Sequence, residues 1–406
     1  MNRKTQIAAA ALPLLMLATA GAMAQGSPRD RLAPTPPMGF MTWNMYQANI
    51  SDSLIRNIAD HMVERGYLAA GYNYIFIDDC WQGGRDNRNN IIPDPRKFPH
   101  GMKALADYVH ERGLRLGIYS DASQQTCAGF TASYGFESQD ARTFASWGVD
   151  YLKYDYCGAP EDISTAFARY RAMADALDAS GRDIVLGVCE WGPRRPWLWA
   201  RAAGGQLWRT TYDVRDMWKD TERRGGMGIV DIVRQTEGLA EHAGPGHWND
   251  MDMLVVGLQG RGGPSSDLGG KGCTWTEYQT QMSLWCMMAS PLQISHDILN
   301  EDDETRRILL NAEILAICQD TLGRAARKAL VVDGCDVYVR ELAGGRHAVA
   351  VLNAGESEAR VRLPLRTLGI SGGRSMRDVW AHTTLPARKE WVGSVAPHET
   401  KVFVVE

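Results

Sequence analysis

The 406-residue chain lacks several patterns that mark common classes of protein. It has no cluster of basic residues and a formal net charge of −4, which argues against a nucleic-acid-binding role. Its eight cysteines include no C-x-x-C pair, so the spacing typical of zinc sites is absent. Beyond the N-terminal stretch, no segment is apolar enough to cross a bilayer. We therefore expect no nucleic-acid partner, no structural zinc and no membrane-spanning segment in the mature chain.

The N-terminal stretch MNRKTQIAAAALPLLMLATAGAMAQ is typical of a secretory signal peptide. Arg3 and Lys4 precede an apolar run, and the run ends in an A-x-A cleavage site at Ala24. A membrane anchor is the alternative, but a proline interrupts the run, and it is short for a span of about 20 residues. We expect a signal peptide over residues 1–24 and a secreted or periplasmic mature chain, in which disulfides can form.

From Pro36 onward, short apolar segments alternate with segments of helical length such as 102–113, 138–148 and 161–180. Eight such alternations predict an α/β fold, a (β/α)8 TIM barrel over residues 25–322. An open, doubly wound sheet is the alternative, but it lacks the expected glycine fingerprint. The eight predicted strands lie at 38–44, 73–81, 114–121, 149–157, 183–191, 206–214, 248–257 and 292–297.

After about Leu322 the pattern changes to alternating strands separated by Gly-Gly turns, with few helix signals. Such a pattern is typical of an antiparallel sheet with one buried face. We expect residues 323–406 to form a C-terminal β-sandwich domain that supports the barrel.

Polar and aromatic side chains stand at the end of nearly every predicted barrel strand. The working residues of such barrels gather at the C-terminal ends of the strands. Each one taken alone has a structural alternative: a turn or helix cap, a structural ion pair, or a core aromatic. Their convergence on one rim favours a functional site. These side chains are Trp43, Asp78, Asp79, Tyr119, Asp121, Lys153, Asp155, Glu190, Trp191, Arg209, Asp213, Asp250 and Asp252.

Many carboxylates together with aromatics, without a phosphate loop or cofactor motif, suit a neutral, polyhydroxylated substrate. Glycoside hydrolysis needs two carboxyl groups beside the scissile bond, one ionised and one protonated. Lys153 beside Asp155 favours the anion, as a nucleophile requires, and Asp213 on another strand suits an acid/base. Metal binding by the clustered acids is the competing interpretation. Nothing resembles an EF-type loop and histidine is scarce near the strand ends, so we predict no metal and no cofactor.

Seven ordered motifs resemble family 27 of the glycoside hydrolases, which contains α-galactosidases and α-N-acetylgalactosaminidases. The motifs are TPPMGFMTWN, IDDCWQ, GIYSDAS with TCAG, YLKYDYC, CEWG, WRTTYDV and GPGHWNDMDML. The resemblance spans about residues 33–325 and implies a retaining, double-displacement mechanism without a cofactor. It assigns the nucleophile to Asp155 and the acid/base to Asp213. It also implies a disulfide between Cys127 and Cys157.

The resemblance further implies a galactose pocket. Asp78 and Asp79 match the paired acids that grip the axial 4-hydroxyl and the 6-hydroxyl of galactose. Family members that act on β-L-arabinopyranosides tend to alter this pair, which is intact here. Galactosaminidases have small residues where this chain has CEWG, so Glu190 and Trp191 are expected to fill the space of an N-acetyl group. The expected substrate-binding residues are Trp43, Asp78, Asp79, Tyr119, Lys153, Cys189, Glu190, Trp191, Arg209 and Asp252.

The sequence therefore predicts a retaining α-galactosidase that acts on galactose-containing oligosaccharides or glycans. A β-L-arabinopyranosidase or an α-N-acetylgalactosaminidase on the same scaffold is the enzymatic alternative. A carbohydrate-binding protein on a decayed barrel is the non-enzymatic one, but both catalytic acids are present. Cys80 and Cys189 lack partners in the motifs and are expected to be free. The glycine-rich loop 258–273 is expected to shape the site of the leaving group.

Overall fold

The computed structural model describes residues 28–220, 226–262, 272–370, 375–386 and 389–406. The predicted signal peptide and its cleavage site near Ala24 lie outside the described residues, as does most of the loop 258–273. Within the described ranges, every helix is too short or too polar to span a bilayer.

Ten strands and nine α-helices make up the N-terminal part of the described chain. The strands are β1 (Met38–Met41), β2 (Tyr74–Phe76), β3 (Gln82–Arg85), β4 (Ile91–Pro93), β5 (Arg115–Asp121), β6 (Tyr151–Asp155), β7 (Val185–Val188), β8 (Leu207–Arg209), β9 (Trp248–Asp250) and β10 (Leu292–Ile294). The helices are α1 (Trp43–Tyr46), α2 (Asp52–Glu64), α3 (Gly101–Glu111), α4 (Glu137–Trp147), α5 (Ile163–Ala179), α6 (Ile229–Thr236), α7 (Trp275–Met287), α8 (Asp303–Leu309) and α9 (Ala312–Cys318).

Eight of these strands form one parallel sheet in the order β10-β1-β2-β5-β6-β7-β8-β9. The segment after β9 returns to β10, where the Leu254 N–H donates to the Gln293 carbonyl at 2.8 Å. A parallel bridge between Leu254 and Ile294 lies at the same place, so the sheet closes. The predicted (β/α)8 barrel is confirmed. Each predicted strand segment contains one of its strands, and the three predicted helices correspond to α3, α4 and α5.

The barrel interior is packed by alternating small and large residues. The rings of Tyr74 and Phe76 are stacked 5.2 Å apart, and Tyr151 meets Phe76 edge-on at 4.7 Å. Glycines face these rings, and a Cβ on Gly187 would lie 2.2 Å from the Tyr151 hydroxyl oxygen. Large aromatics therefore fill the bottom of the barrel because the neighbouring strands present no side chain there. The opposite, C-terminal end of the strands is left for polar groups.

The helix ends are specified by local sequence. Asp162 caps α5 by accepting a hydrogen bond from the Thr165 N–H, at 2.7 Å. Thr274 and Glu277 form a reciprocal capping box at the start of α7. Gly148 ends α4 in the left-handed conformation, with φ at 86°. These caps set where each helix begins or ends, and hence how each loop meets the barrel rim.

The C-terminal part is an antiparallel β-sandwich, as predicted. Its strands are β11 (Arg327–Val332), β12 (Cys335–Glu341), β13 (His347–Leu352), β14 (Ala359–Pro364), β15 (Ser375–Asp378), β16 (Thr383–Pro386), β17 (Glu390–Val395) and β18 (Thr400–Val405). Six form the sheet β11-β12-β13-β18-β15-β16, and β14 pairs with β17. A separate apolar core that includes Val337, Val361 and Phe403 lies between the sheets. The exact domain limits, 25–322 and 323–406, stay predictions.

Arg340 connects the sandwich to the barrel. It lies in β12, is fully buried, and donates to the carbonyls of Cys286 in α7 and Cys318 at the end of α9, the second at 3.3 Å. Burial lowers the pKa of this guanidinium, and nearby sulfur and carboxyl groups oppose that effect. The charge is therefore tolerated because helix carbonyls solvate it.

We expect Arg340→Leu to lower the free energy of unfolding by about 2 kcal/mol, because two charge-assisted hydrogen bonds are lost. Chemical denaturation measures the change. Arg360 on β14 is exposed, and Arg360→Leu is the matched control, expected to change stability by less than about 0.5 kcal/mol. Equal effects of the two substitutions would show that Arg340 does not join the domains.

Candidate active site

The predicted site residues lie at one end of the barrel. Tyr119 lies in β5, Lys153 and Asp155 lie in β6, and Arg209 ends β8. The others follow their strands within a few residues, because each strand stops where its chain turns into a loop. Parallel strands place all these ends on the same rim. The residues that follow strands β1, β2, β7, β8 and β9 are Trp43, Asp78, Asp79, Cys189, Glu190, Trp191, Asp213 and Asp252.

A cavity of about 300 Å³ opens at this rim. This volume is at the small end of ligand pockets, which span roughly 300–1,000 Å³. Four of the expected substrate-binding residues, Cys189, Glu190, Arg209 and Asp252, are not part of its wall, and neither are the rim acids Asp121 and Asp250. Tyr212 and Met253 do belong to the wall, and the sequence analysis did not identify them. The wall consists of Trp43, Asp78, Asp79, Tyr119, Cys127, Lys153, Asp155, Cys157, Trp191, Tyr212, Asp213 and Met253.

Asp155 is buried and held by two hydrogen bonds. The Tyr119 hydroxyl donates to its Oδ2 and the Tyr156 N–H donates to its Oδ1, each at 3.0 Å. Burial raises the pKa of Asp155 to about 6, the positive charge of Lys153 lowers it, and the carboxylate of Asp213 raises it. The carboxylate is therefore fixed in orientation and titrates close to neutral pH.

Lys153 makes its direct ion pair with Asp78, across 2.8 Å from Nζ to Oδ2. The sequence placed Lys153 beside Asp155, two positions away on the same strand. The structure differs because the lysine side chain reaches past β5 to the end of β2, where Asp78 is buried and needs a cation. Lys153 still acts on Asp155 through its charge, which lowers the pKa of that carboxyl. One ammonium group thus serves two carboxylates.

Asp79 is held by backbone N–H groups rather than by a cation. Its Oδ2 accepts from the Ala128 N–H at 2.9 Å, and its Oδ1 accepts from the Cys80 N–H at 2.6 Å. Burial raises its pKa above the usual range, and these two hydrogen bonds oppose that rise. Asp78 and Asp79 therefore present two fixed oxygen-rich groups on one side of the cavity.

Arg209 and Asp252 lie behind Asp213 and position it. Arg209 donates from Nη2 to the Asp213 Oδ1 at 2.9 Å, and its Nη1 lies 3.0 Å from the Asp252 Oδ1. Asp252 also accepts from the Val214 N–H at 2.7 Å, which fixes the backbone next to Asp213. The cavity walls partly desolvate Asp213, which works to raise its pKa, but the charges of Arg209 and Lys153 outweigh this effect and bring the pKa below its ordinary value.

Asp213 differs from Asp155 in exposure. The Asp213 side chain is 60% exposed, whereas Asp155 is buried. Water therefore reaches Asp213 in the empty cavity, and anything that fills the cavity removes that water. The Asp213 carboxylate also raises the pKa of Asp155, so the protonation of one group affects the other.

Glu190 faces away from the cavity and into the protein. It is fully buried and accepts from Arg194, at 3.0 Å from Nη1, and from the Gly192 N–H at 3.2 Å. The backbone reverses at Trp191, whose φ is 61°, so the side chains before and after the turn point to different regions. Only Trp191 of the CEWG residues reaches the cavity. Cys189 is buried below it, with its sulfur 3.8 Å from Arg209.

The implied disulfide between Cys127 and Cys157 is present. It joins the loop after β5 to the end of β6, and both cysteines line the cavity. Cys80 and Cys189 are free and buried, as expected. The four groups Asp121, Cys127, Asp155 and Cys157 lie within 4.8 Å of one another. Their two sulfur atoms are bonded to each other, so neither is a thiolate ligand in this structure.

A barrel rim with a small cavity lined by carboxylates and aromatic rings is the arrangement that glycoside hydrolysis requires. Residues 35–320 match the family described as Alpha galactosidase A, and residues 332–405 match the Alpha galactosidase C-terminal beta sandwich domain. The chain belongs to the Alpha galactosidase A family.

Individual relatives agree with this assignment. Alpha-galactosidase A of Cellvibrio japonicus is 46% identical over 80% of this chain and 77% of its own length. Alpha-galactosidase of Coffea arabica is 42% identical over 92% of this chain and 94% of its own. The structure of the Saccharomyces cerevisiae α-galactosidase with raffinose superposes with a TM-score of 0.85, covering 94% of this chain and 99% of that one at 26% identity.

The buried pair of Glu190 and Arg194 generates a stability prediction. Burial raises the pKa of Glu190 to about 7, and Arg194 opposes the rise. The unfolded value is about 4.3, so the folded state binds the proton more tightly and stability falls as pH rises from about 4.3 through 7. Removing the arginine charge enlarges this fall. We expect Arg194→Met to destabilise the protein by about 1–2 kcal/mol more at pH 8 than at pH 5.

Chemical denaturation at the two pH values measures this difference. Arg195 is exposed and adjacent, and Arg195→Met is the matched control, with no expected difference between pH 5 and pH 8. A loss of stability in Arg194→Met that is the same at both pH values would contradict the buried charge of Glu190.

Proposed function

We propose that this protein is a retaining exo-α-galactosidase that removes terminal α-D-galactosyl residues from oligosaccharides or glycans. The observation that carries the proposal is that Asp155 and Asp213 line one small cavity in different charge environments. One carboxyl is buried and fixed by hydrogen bonds, and the other is exposed and held by an arginine. Two such carboxyls are what a double displacement at an anomeric carbon requires.

In the first step, an Asp155 oxygen attacks the anomeric carbon while Asp213 gives its proton to the leaving oxygen. The bond from the anomeric carbon to that oxygen breaks, and an ester to Asp155 forms. Tyr119 and the Tyr156 N–H hold the attacking carboxylate in place before the reaction. Fixing the nucleophile in advance lowers the entropic part of the activation barrier.

This step needs the proton on Asp213 and the charge on Asp155. In the empty cavity Arg209 favours a deprotonated Asp213, because its positive charge stabilises the Asp213 anion. A pyranose ring in the cavity displaces water from Asp213, which favours the neutral acid. The Asp155 anion is destabilised less by this loss of water, since Asp155 is already buried and keeps its hydrogen bonds and the nearby charge of Lys153. We propose that substrate binding itself moves the proton to Asp213.

In the second step, Asp213 accepts a proton from water, and the water oxygen attacks the anomeric carbon. The bond from that carbon to the Asp155 oxygen breaks, which releases galactose and restores the Asp155 carboxylate. The ester has removed the negative charge of Asp155, so the pKa of Asp213 no longer feels a neighbouring anion. Arg209 then favours the carboxylate form, which is the base this step needs. Arg209 thus opposes the role of Asp213 as an acid in the first step and favours its role as a base in the second.

The substrate preference rests on the groups around this pair. Asp78, Asp79 and Lys153 supply fixed acceptors and a donor for sugar hydroxyls, consistent with the axial 4-hydroxyl and the 6-hydroxyl of galactose. Trp43 offers a flat apolar surface. Trp191 occupies space beside the cavity that an N-acetyl group would need. The relatives named α-galactosidase, one of them with raffinose, support galactosides as the substrate class.

A β-L-arabinopyranosidase and an α-N-acetylgalactosaminidase use the same chemistry. Hydrolysis of the nitrophenyl derivatives of α-D-galactose, β-L-arabinopyranose and α-N-acetylgalactosamine separates the three. We also propose that the N-terminal residues 1–24 direct the enzyme to a secreted or periplasmic location, as their sequence indicates.

The nucleophile is tested by Asp155→Gly. We expect a fall of about 10⁴-fold or more in kcat on an aryl α-galactoside, because no carboxylate remains to form the ester. Added azide is expected to restore turnover and yield β-galactosyl azide, since it attacks from the face that Asp155 vacated. Asp303 is exposed at the start of α8, and Asp303→Gly is the control. Azide that gives no galactosyl azide, or an α-configured product, would refute the assignment.

The pH dependence tests the environment of Asp155. The reaction needs one proton on the pair, and in the free enzyme Asp155 carries it, so kcat/KM is expected to fall as pH rises through about 6, the pKa of Asp155. Tyr119→Phe removes a hydrogen bond donated to the Asp155 anion, which raises its pKa. We expect the alkaline limb of the profile to move upward by roughly one pH unit.

Tyr154→Phe is the matched control for this profile. The Tyr154 hydroxyl is buried on the same strand and has no hydrogen-bond partner among the described residues. Removal of this hydroxyl is expected to leave the alkaline limb in place. If Tyr119→Phe leaves the limb unmoved, or Tyr154→Phe moves it equally, the titrating group is not Asp155.

A further inference from the structure

An exposed tyrosine stands beside the proposed acid/base. Tyr212 is 51% exposed and directly precedes Asp213 in the chain. Its ring is stacked on that of Trp191, with 6.4 Å between the centroids and 13° between the planes. Both residues line the cavity together with Asp213. A large ring left open to solvent at the mouth of a cavity has area available for a ligand.

The two rings are held in register by the backbones that carry them. Gly192 follows Trp191, and a Cβ at this position would lie 2.2 Å from the Thr210 carbonyl oxygen. The loop after β7 therefore rests directly on the segment that leads to Tyr212. Trp191 itself takes a left-handed conformation, with φ at 61°, which is strained for a residue with a side chain. The stacked pair is thus a built feature rather than two free side chains.

The position of the rings relative to Asp213 indicates their partner. An acid that protonates the glycosidic oxygen must lie next to the group that leaves. Tyr212 is the neighbour of that acid, and its exposed ring lies at the cavity mouth. A pyranose ring has an apolar face that packs against an aromatic surface, whereas a small alcohol has none.

We infer that the stacked rings of Trp191 and Tyr212 form the binding subsite for the first sugar unit of the leaving group. Tyr212 provides the surface that the sugar contacts, and Trp191 supports it from behind. The substrate class is therefore α-galactosides of another sugar, in preference to alkyl α-galactosides. This inference rests on the proposed function, because it takes Asp213 as the acid.

The experiment compares raffinose with methyl α-D-galactopyranoside, whose leaving groups do and do not contain a sugar ring. We expect Tyr212→Ala to lower kcat/KM for raffinose about 10-fold more than for the methyl galactoside. Tyr212→Phe keeps the ring and is expected to restore the wild-type ratio of the two values. Thermal melting of each variant shows that the fold is retained, and the ratio cancels any general loss of active enzyme.

Tyr134→Ala is the matched control, because Tyr134 is also an exposed tyrosine, 38% accessible, in a second hollow beside the disulfide. An equal loss on both substrates in Tyr212→Ala would overturn the inference, since the ring would then only pack against Trp191. A selective loss on raffinose in Tyr134→Ala alone would place the leaving sugar in the second hollow and would also overturn it. A wild-type protein that hydrolyses neither galactoside would instead refute the proposed function.

Discussion

Two buried cations hold the carboxylates of the rim together. Lys153 pairs with Asp78, and Arg209 bridges Asp213 and Asp252. A barrel that delivers acids from several strands to one end brings like charges close together, and burying them unpaired would cost more than the fold can supply. Each cation offsets two or more acids at once, because each lies between strands rather than beside a single partner. The cavity exists in its present form only while both cations are in place.

The same arrangement sets the acidities of Asp155 and Asp213, the proposed catalytic pair. Burial makes Asp155 a weaker acid than usual, and Arg209 makes Asp213 a stronger one. This order suits the second step of the proposed mechanism but not the first. In that mechanism the exposed side chain of Asp213 resolves the conflict, since a sugar in the cavity would change its environment more than that of the buried Asp155. A carboxyl that were buried from the start would have no such response, and the pair would be locked in one state.

Much of the fold follows from the sequence. The eight strands were predictable because buried apolar runs stop at acids or aromatics, and the helices between them have clear periodicity and caps. The rim acids were predictable from their positions at the strand ends, and the disulfide between Cys127 and Cys157 was implied by the family resemblance. The ion pair between Lys153 and Asp78 was not predictable, because Asp78 lies 75 residues away in the chain and only strand pairing brings the two together.

The sequence predicts Glu190 in the pocket, because no local pattern shows that the chain reverses at Trp191. Tyr212 was missed as well, although an aromatic next to a candidate acid at a strand end is a signal that could have identified it.

Backbone conformation at the rim matters as much as the identity of the acids. Cys80, Trp191 and Asp252 all have positive φ, and they follow β2, β7 and β9. Each is held there by a neighbour: Cys80 donates to Asp79, Asp252 donates to Asp250, and the loop of Trp191 rests on Thr210. Strained residues persist only where surrounding contacts determine them, and they concentrate at functional sites. The three turns bend the chain at the point where each strand ends, so that a pocket forms in place of a flat rim. A change of sugar preference on this scaffold can therefore arise from a loop that turns differently, with both catalytic carboxyls untouched.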